Sequence, residues 1–185
     1  MRIVGFGGTM RPGSSSEQVL RAVLDRVAGQ GAEVELFDAP RLDFPLYSPG
    51  ATMPTAPVVE FLEAIRAADG IVVASPGYHG DVSGLVKNAI DWVEELRTDA
   101  RPYFDSRPVG LIVVAAGWQA TVTTLSSLRS IVHALRGWPT PFGLAINAAD
   151  PAPVDPAQIE LLATQVLRGR ALGGTLAAPQ APDQL

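Results

Sequence analysis

Five apolar runs punctuate the chain: "RIVGFG" (2–7), "VELFDA" (34–39), "GIVVAS" (70–75), "VGLIVVAA" (109–116) and "PFGLAIN" (141–147). Three of them are nearly continuous in Val, Ile and Leu. A strand with one wet face alternates apolar and polar residues, so a run without alternation needs cover on both faces. The segments between the runs supply that cover, with apolar residues at helical spacing. Val19, Leu20, Val23, Leu24 and Val27 form one stripe, and Phe61, Leu62 and Ile65 a second. Leu85, Val86, Ala89, Ile90 and Val93 form a third, and Leu125, Leu128, Val132 and Leu135 a fourth. Ile159, Leu162, Ala163, Val166 and Leu167 form a fifth, opened by Asp155 as cap and Pro156 in the first turn. Five strands alternating with five helices predict an α/β fold: a doubly wound, five-stranded parallel sheet in three layers, α/β/α.

A chain of 185 residues, 47% hydrophobic and 18% charged, fits one such domain with a real core. We place that domain at 1–172 and a frayed tail at 173–185. The stretch 39–57, rich in proline, reads as a long structured loop. No apolar run approaches the roughly 20 residues that span a bilayer, and the N-terminus does not read as a signal peptide. Cysteine is absent, which excludes disulfides and thiolate chemistry and fits a reducing, cytoplasmic setting. The net charge of −5, with no basic stripe, argues against nucleic-acid binding. The two histidines, His79 and His133, show no metal-ligand spacing, and no G-x-S-x-G elbow ends a strand. No metal site and no catalytic side chain is expected.

Ligands of a doubly wound sheet sit beyond the carboxyl ends of its strands. There the first run leads into "GGTMRPGSSSE" (7–17), far more glycine, serine and charge than a turn requires. The dinucleotide fingerprint fails because Met10 stands where its third glycine belongs. The nucleoside-triphosphate loop fails because Ser14 replaces its lysine. A cradle for one terminal phosphate remains. Thr9, Ser14, Ser15 and Ser16 offer hydroxyls, Arg11 a charge-assisted fork, and the following helix its free N–H groups. Ser14 and Glu17 also satisfy S-x-x-E, a capping box, which is the plainer reading of those two residues. Both readings stay open here, and Glu17 is carried with the cradle.

The stretch "ADGIVVASPGYHGDVSGLVKNAIDWV" (68–93) is more specific. Ala68, Asp69, Gly70, then Pro76 and Tyr78, then Gly84, Lys87, Asn88, Ile90, Asp91 and Trp92 follow one family pattern. In these residues the chain resembles the NAD(P)H-dependent FMN reductase family. Val86 stands where that family usually has leucine, and Thr9 where its first loop has serine. The resemblance covers about residues 2–147 and implies a flavodoxin-like fold.

It further implies FMN as cofactor and NAD(P)H as hydride donor. The phosphate would lie in the first loop. The ring would lie along Pro76, Gly77, Tyr78, His79 and Gly80, whose backbone N–H groups face the pyrimidine edge. Gly117, after the fourth strand, would lie near the flavin, and Trp118 beside it either edges the flavin or is an ordinary surface or interface tryptophan. Asn88 and Asp91 would tie the neighbouring loop in place. The excursion at 97–108, with Tyr103 and Phe104, packs either across a dimer or within its own subunit. A homodimer or homotetramer is expected. Reduced FMN would pass to a flavin-dependent monooxygenase, or stay and reduce a quinone, azo or chromate acceptor. A flavodoxin-like electron carrier without a pyridine-nucleotide site is the alternative from another class.

Overall fold

The computed structural model describes residues 1–169 apart from Pro12, Thr52 and Pro151, so the expected tail at 173–185 lies outside it. In chain order the elements are β1 (Arg2–Gly7), α1 (Ser15–Gly29), β2 (Glu33–Phe37), α2 (Ala56–Ala67), β3 (Gly70–Tyr78), β4 (Asp81–Val82) and α3 (Gly84–Trp92). They continue with β5 (Pro108–Ala115), α4 (Trp118–Ala134), β6 (Trp138–Pro139), β7 (Leu144–Asn147) and α5 (Pro156–Gly169). Single 3-10 turns follow β2 at Ala39–Leu42 and α3 at Val93–Leu96.

Strands β2, β1, β3, β5 and β7 lie side by side in that order, all parallel. Counting only these five, the order is 2-1-3-4-5, the flavodoxin-like arrangement, which switches direction between β1 and β3. Alternate residues of each central strand enter opposite layers. Val4, Phe6, Ile71, Val73, Leu111 and Val113 face α2, α3 and α4, where Phe37, Phe61, Trp92 and Phe104 fill the layer. Ile3, Val72, Ala74 and Ile112 face α1 and α5 and meet Leu20, Val23, Leu162 and Val166. Edge-to-face packing of Phe61 on Phe6 and on Phe37, each at 5.3 Å, orders the first layer.

Two strands differ from the periodicity reading. The run 141–147 forms a strand only over Leu144–Asn147, while Trp138–Pro139 pairs separately with the start of β5. Pro139 and Pro141 lack the N–H that a continuous ladder needs. The run 70–75 extends to Tyr78 and turns into a hairpin with β4. His79 and Gly80 form that turn with φ of +54° and +84°. Positive φ at both central residues is the type I′ pattern, whose twist suits a two-residue hairpin.

The 97–108 excursion packs within its own subunit. Phe104 is fully buried and its ring centroid lies 6.5 Å from that of Phe6. Arg107 is also fully buried and donates to the carbonyls of Arg66, Ala68 and Tyr103, all at 2.9 Å. Two of these carbonyls end α2, where a cation is favoured. Burial, then nearby Arg101, pushes the Arg107 guanidinium down to about 10.

The proline-rich loop is pinned to α3. Asn88 accepts from Tyr47 N at 2.9 Å and donates to the carbonyls of Phe44 and Pro45. Trp92 Nε1 donates to Pro45 O at 2.9 Å, and the Tyr47 ring lies edge-on against Trp92. Asp91, expected to share this work, instead pairs with Lys87 one turn back.

Candidate active site

The first loop leaves β1 pressed against β3. Gly8 N donates to Ala74 O at 3.1 Å. Gly7 has φ of +135°, and a Cβ there would lie 1.8 Å from Ala74 O, so glycine is obligatory. Arg11 N donates to Thr9 Oγ1 at 3.2 Å, and Gln18 Nε2 holds Gly13 O at 2.8 Å. The loop is thus tied at both ends, to β3 and to α1.

Helix α1 begins as its sequence predicts. Ser14 is the N-cap, with Oγ accepting from Glu17 N at 3.4 Å. The reciprocal half of the capping box is not made, because the Glu17 carboxylate turns to Arg21 at 2.8 Å. Ser14 Oγ and Ser16 Oγ lie 3.4 Å apart, both nearly fully buried. Hydroxyl pairs prefer about 2.7–2.8 Å, so these long contacts leave both groups ready for a stronger acceptor. Ser15 is exposed at the first helical position. The Arg11 side chain is exposed and has no hydrogen-bond or ion-pair partner among the described residues. An unpaired guanidinium, long-bonded hydroxyls and a helix N-terminus converge here, which is the donor set a phosphate needs.

These groups form one wall of a cleft of about 390 Å³. Thr9, Arg11, Ser14, Ser15 and Ser16 line it on one side, Pro76, Gly77 and Tyr78 in the middle, and Val114, Ala115, Ala116 and Ala148 on the other. The cleft is therefore polar at its α1 end and apolar toward β5. Tyr78 keeps 54% of its surface exposed, so a ring face is free to pack on a ligand. Gly77 makes the middle possible. A Cβ there would lie 2.7 Å from Ala115 Cβ and 2.9 Å from Thr124 Oγ1. The N–H groups of His79 and Gly80 donate to no carbonyl among the described residues.

The structure brings eight of the expected residues into the lining and sets the other five beside it. Glu17 faces Arg21. His79 and Gly80 form the hairpin tip. Gly117 N donates to Asn147 Oδ1 at 2.7 Å, and Trp118 opens α4 with 56% of its surface exposed. Val114, Ala115, Ala116 and Ala148 were not legible as site residues, being small and apolar. Their one signal is position at the ends of the fourth and fifth parallel strands. A cavity of about 400 Å³ beside Tyr47 and Pro49 matches the cleft in size, but Glu94 and Glu95 line it, which disfavours an anion. Among the described residues, no helix is long and apolar enough to cross a membrane.

Strand order defines a flavodoxin-like α/β protein, with the cleft at its switch point. The fold is shared with an oxidoreductase of Corynebacterium diphtheriae, at a TM-score of 0.74 and 19% identity, over 93% of this chain and 98% of that one. Among relatives, an NAD(P)H-dependent FMN reductase of Pseudomonas aeruginosa is 32% identical over 157 residues, 81% of this chain and 82% of the relative. An FMN-dependent NADPH-azoreductase of Staphylococcus haemolyticus is 28% identical over 159 residues, 83% of this chain and 81% of the relative. The model of the NADPH-dependent FMN reductase family matches residues 1–150. The chain belongs to that family. Its chemistry is NAD(P)H:flavin oxidoreduction, with FMN as the flavin.

Proposed function

We propose that this cleft binds FMN with its terminal phosphate in the first loop and its ring toward β5, and that the protein is an NAD(P)H-dependent FMN reductase. The observation that carries this is the unpaired Arg11 guanidinium beside Ser14, Ser15 and Ser16 at the start of α1. Bound FMN supplies hydride acceptance from NAD(P)H and onward electron transfer. The chain's own residues do the positioning. Arg11, Thr9 and the serines hold the phosphate. Pro76, Gly77 and Ala115 give a flat apolar floor, Tyr78 packs on the ring, and Gly117 and Trp118 edge it. The His79 and Gly80 N–H groups meet the pyrimidine edge, where negative charge collects on reduction. No side-chain acid or base is required.

Anaerobic mixing of the purified, FMN-loaded protein with NADH or NADPH tests this. Bleaching of the flavin's visible absorbance is expected. A protein that binds no flavin, or whose flavin neither nucleotide reduces, contradicts the reading. Persistent bound FMN with fast azo-dye or quinone reduction favours the second reading, an FMN-containing azo or quinone reductase. The azoreductase relative supports it. Release of reduced FMN favours supply to a flavin-dependent monooxygenase. The reading also makes the protein a cytoplasmic homodimer or homotetramer. The groove between α3 and α4, where Ile90, Ile131, Ala134 and Leu135 are rimmed by Lys87, Asp91 and Glu94, supports that assembly.

A further inference from the structure

Gly117 lies in the loop after β5, and packing does not hold it. Its φ is +99°, and a Cβ there would meet nothing within 4 Å. A glycine peptide in open space samples many conformations unless its polar groups are bound. Here both are. Thr121, fully buried, donates from Oγ1 to Gly117 O at 2.8 Å. Asn147, the last residue of β7, accepts from Gly117 N at 2.7 Å. The same Oδ1 accepts from Ala149 N at 3.1 Å. Two N–H donors on one amide atom require that atom to be the oxygen, and so fix the orientation of the carboxamide. The main chains add a bond between the same two loops, from Ala148 N to Ala115 O at 2.8 Å.

One side chain therefore spans the two loops that supply Ala115, Ala116 and Ala148, the apolar wall of the cleft. Ala116 and Ala148 are exposed, so the core does not hold this wall either. We propose that Asn147 is a positioning residue for the flavin ring: its carboxamide sets the wall against which the ring lies. The wall faces Arg11 and the serines from across the cleft, so Asn147 acts on the ring and not on the phosphate. This inference rests on the reading that the cleft holds FMN with its ring toward β5, and adds to it the group that shapes the ring's site.

Titration of the purified protein, stripped of flavin, with FMN and with riboflavin tests it. Asn147→Ala is expected to weaken both by a similar factor, about three- to thirtyfold, the scale of one or two hydrogen bonds. Arg11→Ala, by contrast, should weaken FMN alone. Asn147→Asp keeps both acceptances and is expected to hold riboflavin, which carries no charge, within about threefold of wild type. Asn147→Leu fills a similar volume without an acceptor and should behave as Asn147→Ala does, so this pair decides even where Asn147→Ala fails to fold. Unchanged flavin affinities in Asn147→Leu, with or without a lower melting temperature, overturn the inference and leave the FMN reading standing. Loss of FMN affinity alone, or an Asn147→Asp variant that binds riboflavin no better than Asn147→Leu, overturns it as well. Wild-type protein that binds neither flavin removes the FMN reading and this inference with it.

Discussion

Arg11 is the residue on which the site turns. Its neighbours explain why it is available: among the described residues at that end, Arg21, Arg41 and Lys87 each have a carboxylate within 3.2 Å, while Arg11 projects from a loop tied to β3 and α1. A hydrogen bond to a charged group contributes about 1.5–3 kcal/mol, so Arg11→Ala is expected to weaken FMN binding by about 10- to 150-fold with the fold intact. Fluorescence titration of the apoprotein measures it. Arg11→Lys should recover part of that loss, keeping the charge but not the fork. Arg107 shows the opposite fate for the same side chain. Charged residues normally read as surface, and nothing local marks Arg107 as buried. Its acceptors at Arg66 and Ala68 come from about 40 residues away in the chain, 41 and 39 by separation. Arg107→Met is expected to leave α2's carbonyls without a partner and to lower stability by about 1–3 kcal/mol, seen as a reduced denaturation midpoint.

Elements were legible where their periodicity is long. The stripes of α1, α3, α4 and α5 and the continuous runs of β1, β3 and β5 bury most of what their spacing marks, while Leu85, Leu125, Leu135, Ile159 and Leu167 at the stripe margins are only partly buried. Elements set by two residues were not. Strand β4 contains only Asp81 and Val82, too short for alternation, and its turn uses His79 where Asn would have announced a type I′ hairpin. The split of the edge strand at 140–143 follows from prolines inside an apolar run, a signal present but outweighed by the run itself. Packing of the 97–108 excursion depended on Phe104 reaching Phe6 across the sheet, which no local pattern encodes. Gly77 joins two elements at the site. Gly77→Ala places a methyl against Ala115 and Thr124, and overpacking of this kind costs about 1–3 kcal/mol. The expected result is a lower melting temperature together with weaker FMN binding, since the cleft floor must move. Unchanged values for both would show that β3 and β5 have room there.

For the whole molecule, fold and function meet at the carboxyl ends of the parallel strands. The loops after β1, β3, β5 and β7 converge on one cleft, polar where α1 begins and apolar where β5 ends. The first-loop donors were legible because hydroxyls and a lone arginine after a buried strand have few other uses. The apolar wall was not, because Ala115, Ala116 and Ala148 acquire meaning only from topology. In the proposed function, the first loop grips one terminal phosphate and thereby fixes the flavin. The most direct test is to titrate the same apoprotein with FMN and with riboflavin, which differ only in that phosphate. FMN is expected to bind at least about a hundredfold tighter, as two or more charge-assisted hydrogen bonds require. Equal affinities for the two flavins would contradict a phosphate grip in the first loop.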